Sequence, residues 1–230
     1  MFTLMKLEFK KVKMGWYVKG AVIANILILS SLFIIGYIEK LEGNVVFLDY
    51  DEVFIIIGAF VRATFIIFAA VLIVKLVIEE FKNKTITVLF TYPINRKKLI
   101  GVKLFIVGSL TFITIIISNF FVLGSFFALN PYFQIIPGTL SLEMVVQQII
   151  PIITFAFAAA GTSLISLYFG MRKFSVPATI ISSIVIVFLI SSHNPVFSVA
   201  SIVYIPLLLA VIGILISILS IRKIDKIDII

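Results

Sequence analysis

The sequence predicts an all-α integral membrane protein of six transmembrane helices, with an amphipathic helix at its N-terminus and both termini in the cytoplasm. Three observations carry this fold class. Apolar residues make up 62% of the chain and charged residues 13%, with a mean hydropathy of +1.25. That is too little charge to cover the surface of a water-soluble domain. The apolar residues also fall in runs of about 20 or more, the length that carries a helix across a hydrocarbon layer of ~30 Å. Such runs are too continuous for barrel strands, the other architecture that satisfies a backbone in lipid.

The runs lie at 17–38, 53–78, 101–129, 142–169, 176–191 and 198–221, and together they form a single transmembrane domain over residues 1–230. Seventeen of the 19 Lys and Arg residues fall on one side of this arrangement, with Lys40 alone on the other and Arg62 inside a run. An excess of positive charge marks the cytoplasmic side, and an even number of spans returns the C-terminus to it. The first run is too long for the apolar part of a signal peptide and no small-residue cleavage site follows it, so it reads as a retained span. The expected location is the cytoplasmic membrane of a bacterial cell, as a multi-pass protein.

Residues 1–16 read as an interfacial elbow helix. Met5, Phe9, Val12 and Trp16 recur at spacings of 4, 3 and 4, and Lys6, Lys10 and Lys13 follow one position along. Such a helix lies on the membrane with its apolar face down and its lysines towards anionic headgroups. It would either fix orientation or carry force between a cytoplasmic partner and the spans.

Within the spans, Pro151 is expected to kink the fourth run or split off its outer end, where Glu143, Gln147 and Gln148 suggest a wet or protein-packed surface. Ser175 followed by Pro177 reads as an N-cap and a first-turn proline opening the fifth span. Residues 195–204 read either as a short re-entrant helix or as the start of one long tilted span. Ala156, Ala160, Gly161 and Ser163 form a small-residue face suited to close helix packing, within the subunit or at a dimer seam.

Catalytic chemistry is poorly represented. There is no cysteine, which removes thiol catalysis and Cys-ligated zinc, and the sole histidine, His193, cannot complete a metal site alone. Glu79-Glu80 lacks the further ligands that a metalloprotease would need. No Gly-rich loop ends in Lys-Ser or Lys-Thr, so the chain carries no ATP site of its own. The distribution of its basic residues argues for a membrane surface and against nucleic acid. Arg62 is the exception within the spans. It lies about 15 Å from Glu52 along the helix axis, beyond the full reach of snorkelling. An Arg at that depth needs a carboxylate such as Glu143, a wet cavity or an anionic substrate. Arg62, Glu143 and Gln147 are therefore candidates for a translocation path.

The loop at 79–100 begins Glu79-Glu80-Phe81-Lys82-Asn83-Lys84-Thr85-Ile86-Thr87-Val88-Leu89-Phe90 and continues through Pro93, Arg96, Lys97 and Lys98 towards Lys103. Ile86, Val88, Leu89 and Phe90 form a short apolar stretch between charged ones, and an exposed apolar patch of this kind implies a partner surface. The ordered series of acidic start, Thr85, Leu89, Pro93, Arg96 and Lys103 resembles the first cytoplasmic loop of type-2 ATP-binding-cassette (ABC) exporter permeases. Lys84 stands where that family usually has Gly, and Val88-Leu89-Phe90 replaces a leucine pair.

The resemblance implies that this loop is a coupling helix, with Glu79 and Glu80 capping it or pairing with basic residues of a separate ATPase subunit. That subunit would hold ATP and magnesium, and the permease would pair with a second copy or a paralogue. Short outer loops resemble the bacitracin-type, lantibiotic-immunity and amphipathic-peptide exporters. The expected function is export of an amphipathic or hydrophobic peptide, antibiotic or lipid-like molecule. The alternatives are a six-span substrate-binding subunit for uptake and an intramembrane enzyme.

Overall fold

A computed structural model of the chain describes residues 2–11, 14–42, 49–85, 96–133, 135–136, 141–191 and 204–223. Among the described residues all regular structure is helical. The helices are α1 (Phe2–Lys11), α2 (Met14–Glu42), α3 (Tyr50–Ile73), α4 (Glu79–Lys82), α5 (Arg96–Phe133), α6 (Leu142–Ser163), α7 (Ile165–Lys173), α8 (Val176–Ser191) and α9 (Tyr204–Lys223). A π-helical turn, Val74–Ile78, joins α3 to α4 without a break. Four helical stretches are long and apolar enough to cross a membrane: Gly15–Glu42, Tyr50–Lys82, Lys97–Phe133 and Leu142–Arg172. The apolar helices Val176–Ile190 and Pro206–Ile221 are shorter.

Local sequence sets the ends. Ser141 caps α6 by accepting the N–H of Met144 at 3.3 Å, and Ser175 caps α8 by accepting that of Ala178 at 3.4 Å. Asn130, near the end of α5, accepts the N–H groups of Ile135 and Ile136 at 3.2 and 3.1 Å. Lys40 donates to the carbonyl of Phe133 at 3.0 Å, placing a cation at a helix C-terminus. Pro151 does not split its helix. The helix is continuous from Leu142 to Ser163 and is interrupted instead at Leu164, before α7.

Two packed clusters fill the bundle. One, at the end that carries α1 and most lysines, gathers Ile73, Val77, Ile100, Leu104 and Leu167. The other, at the end that carries Asp49 and Ser141, gathers Leu32, Val53, Phe54, Phe65 and Phe126. Between α2 and α5, Asn25 donates to Ser118 at 3.0 Å and Tyr17 to Thr114 at 3.1 Å. Interhelical bonds of this kind contribute about 0.6 kcal/mol each in apolar surroundings.

The small residues on α6 serve packing within the chain. A methyl group added at Gly161 would meet the Ala210 Cβ of α9 at 2.6 Å, and one at Gly213 would meet the Gly161 carbonyl oxygen at 2.3 Å. The outward faces are apolar, with Ile23 and Leu27 on α2, Phe105 and Ile117 on α5, Phe188 on α8 and Leu208 on α9 all exposed. That girdle suits hydrocarbon as its surroundings.

Candidate functional site

The two ends of the bundle differ in charge, and each holds one unusual arrangement. At the lysine-rich end, Lys103 of α5 has no solvent exposure. Its ammonium pairs with Glu80 of α4, lies 3.3 Å from the Glu8 carboxylate of α1, and donates to the Leu76 carbonyl of the π turn at 2.8 Å. Glu8 is 3% exposed. One buried cation thus joins three parts of the chain that sequence alone leaves unconnected. Ions taken out of water this far are tolerated only when paired and hydrogen-bonded.

Glu80 faces inward to Lys103, whereas Glu79 is exposed. Lys103, the last residue of the loop series, is buried. On α1, Glu8 is buried and Met5 packs against the core, while Phe9 is 42% exposed and Lys6 is exposed. Trp16 belongs to α2, where the Lys75 ammonium lies 3.5 Å from its ring centroid. Val12 and Lys13 lie outside the described residues, and Lys10 is helical.

Beyond Glu80 the chain is held in a defined turn. Asn83 N–H donates to the Glu79 carbonyl at 2.9 Å and Lys84 N–H to that of Phe81 at 3.2 Å. The Thr85 hydroxyl donates to the Glu80 carbonyl at 3.3 Å. Lys84 adopts φ 56°, the left-handed region that glycine enters freely. The other described non-glycine residue with positive φ is Phe174, between α7 and α8, and its ring stacks on Phe81 with centroids 5.2 Å apart and planes at 10°. The two turns at this end are therefore pinned face to face. Lys82, Lys84, Lys97, Lys98 and Arg172 stand exposed around them. Ile86, Val88, Leu89, Phe90 and Pro93 lie outside the described residues, and Arg96 begins α5.

At the opposite end, a cavity of about 560 Å³ lies against α3 and α6, reaching Ile190 of α8 and Pro206 of α9. Its walls include Asp49, Asp51, Glu52, Arg62 and Phe155, and the rest is largely apolar. The Arg62 guanidinium lies 4.5 Å from the Phe155 ring centroid, a cation–π contact. It also folds back over Gly58. A methyl group there would sit 2.9 Å from Arg62 Nη1 and 3.8 Å from Asn119 Oδ1, which is buried and accepts no hydrogen bond. The side chain thus turns one helical turn towards Glu52.

Glu143 does not pair with Arg62. Among the described residues no carboxylate stands within ion-pair distance of that guanidinium. Glu143 is exposed and accepts from Gln147 at 3.5 Å, and neither residue lines the cavity. Gln148, nearby, donates to Asp51 at 3.3 Å. Of the three candidates for a path, the fold gathers only Arg62 into a cavity, and it adds the three acids at 49–52. The signal for the acids was their spacing at the start of α3, on the side towards which Arg62 reaches.

No family model and no solved structure matches the chain. An uncharacterized protein, YcbO of Bacillus subtilis (strain 168), is 57% identical over 226 residues, which span 98% of this chain and 99% of that relative.

Proposed function

We propose that this chain, which belongs to the same family as YcbO of Bacillus subtilis, is the membrane-spanning permease subunit of an ATP-driven ABC exporter. In this reading six helices cross the cytoplasmic membrane. The lysine-rich end faces the cytoplasm, by the positive-inside rule. The two short apolar helices complete the six spans, with α8 at 16 residues rising about 24 Å along its axis. A separate ATPase, carrying ATP and magnesium, docks on the loop at 79–100. The chain pairs with a second copy or a paralogue, and the cargo is an amphipathic or hydrophobic molecule.

The observation that supports this most is the buried Glu8–Lys103–Glu80 cluster. It mounts the base of the loop rigidly on α1 and α5, so that a displacement of the loop moves helices and is not absorbed by a slack hinge. The left-handed Lys84 is a second support, since the resembled family usually has Gly there. Exposed Lys82, Lys97 and Lys98 offer a surface for an acidic partner.

Mild-detergent purification of the tagged chain from its native cells tests the reading. A co-purifying soluble protein with a Gly-rich phosphate loop, lost when Leu89 and Phe90 are both replaced by Glu, is the expected result. Its absence while other membrane complexes survive argues for the second reading, an uptake subunit that binds a ligand at its outer face. The Arg62 cavity favours that alternative, because acidic residues of that end line it. An intramembrane enzyme has no comparable support in the geometry.

A further inference from the structure

The cavity beside Arg62 orders its charges by depth. Asp49, Asp51 and Glu52 line its end at the start of α3. The guanidinium lies at the level of Gly58, six residues or about 9 Å further along α3. Beyond it the lining is apolar down to Ile66, apart from Thr162. A volume of about 560 Å³ falls within the ~300–1,000 Å³ of small-molecule sites.

Charge complementarity selects the occupant. A ligand carrying only an anion is drawn by Arg62 but repelled by the acids that line the same cavity. A ligand carrying only a cation meets the reverse conflict. An uncharged hydrocarbon leaves a guanidinium in apolar surroundings without an anion. A single chain that bears an ammonium outermost, an anion next and hydrocarbon innermost satisfies all three zones.

We propose that this cavity is a binding site for a zwitterionic single-chain amphiphile of the phosphoethanolamine type. Its phosphate takes the guanidinium of Arg62, its ammonium takes the carboxylates at the start of α3, and its chain lies along the apolar floor. The site is a property of this chain alone and does not depend on the ATP-driven reading. It can therefore stand if no ATPase is found, and fall if one is.

The test uses the purified full-length chain in mild detergent, with binding read from the shift of its thermal unfolding midpoint. The probes are lysophosphatidylethanolamine, lysophosphatidylglycerol as the anion, dodecylamine as the cation, and glycerophosphoethanolamine as the headgroup without a chain. Lysophosphatidylethanolamine should bind at least about tenfold more tightly than each of the others, because only it makes both charge-assisted contacts and fills the floor. Arg62→Gln should remove that binding. Asp51→Asn with Glu52→Gln should erase the preference for the zwitterion over the anion. Ala59→Phe, which fills the cavity and leaves every charge in place, should also abolish binding, and it carries the test if Arg62→Gln fails to fold. Equal affinity for the three chain-bearing probes, or unchanged binding in Ala59→Phe, would overturn the proposal. Binding of the chainless headgroup as tight as that of the lipid would overturn its amphiphile part.

Discussion

At the scale of single residues, Lys103 is the position on which most depends. Lys103→Met strands the buried Glu8 and the half-buried Glu80 without their cation, and breaking a buried pair from one side costs about 3–5 kcal/mol. Glu8→Gln with Lys103→Met should recover much of that loss, because it also removes one stranded charge. Thermal unfolding of the three proteins in one detergent checks both statements. Lys84 makes the opposite case. A side chain at φ 56° is held against its preference by about 1 kcal/mol, so Lys84→Gly should raise stability modestly and Lys84→Val should lower it. Protection of the 79–85 turn from limited proteolysis is the appropriate measurement. Gly58→Ala would place a methyl 2.9 Å from Arg62 Nη1 and should displace the guanidinium while leaving the helix intact. Its expected signature is weakened lipid-probe binding with a nearly unchanged unfolding midpoint.

These residues were unequally legible in the sequence. Arg62 was visible as a lone charge in an apolar run, but what lay around it was not. Gly58 and Phe155 come from different helices, and Asn119 from a third. The Lys103 cluster was missed although it left two traces. Glu8 is the sole acid among the first 38 residues, set between lysines, and Lys103 interrupts the apolar stretch Leu99–Gly108. Each is unremarkable alone, and nothing in a linear reading pairs positions 95 residues apart.

At the scale of elements, the crossing of α6 and α9 depends on absent side chains. Gly213→Leu would drive a side chain into the Gly161 carbonyl, which is backbone and cannot swing away. Loss of monodisperse protein on size exclusion is expected. Gly101 on α5 meets nothing within 4 Å, so Gly101→Ala should be neutral or stabilising by up to ~1 kcal/mol, the helix-propensity difference. The pair separates close packing from propensity. Helix positions followed from run length, and the cap at Ser175 from the chemistry of a hydroxyl before an apolar run, whereas the cap at Ser141 emerged only from the structure. The π turn did not, since no sequence rule marks it. At Pro151 the helix is not split. A proline inside a helix removes one donor, but packed neighbours can keep the helix continuous.

For the whole molecule, the apolar outer face and the asymmetric charge make a specific topological statement. The chain has no cysteine, so single cysteines can be introduced without further changes. Asn83→Cys, Lys98→Cys and Arg172→Cys should react with an impermeant thiol reagent only after cells are opened. Ser141→Cys should react in intact cells. Labelling of Asn83→Cys in intact cells would reverse the orientation on which the coupling role depends. The all-helical class and four helices long and apolar enough to cross a membrane were readable, because run length is written directly in the sequence. The tertiary contacts that distinguish a transporter subunit from a binding subunit are set by shape and burial, which leave no period to read.

An ATPase docked on the loop is tested by crosslinking in native cells from a photoreactive group attached at Asn83→Cys, beside the loop, with Ser141→Cys at the opposite end as reference. An adduct with a soluble protein carrying a Gly-rich phosphate loop is expected at Asn83 and none at Ser141. The same adducts at both ends, or only lipid adducts at Asn83, would contradict a coupling role for the loop.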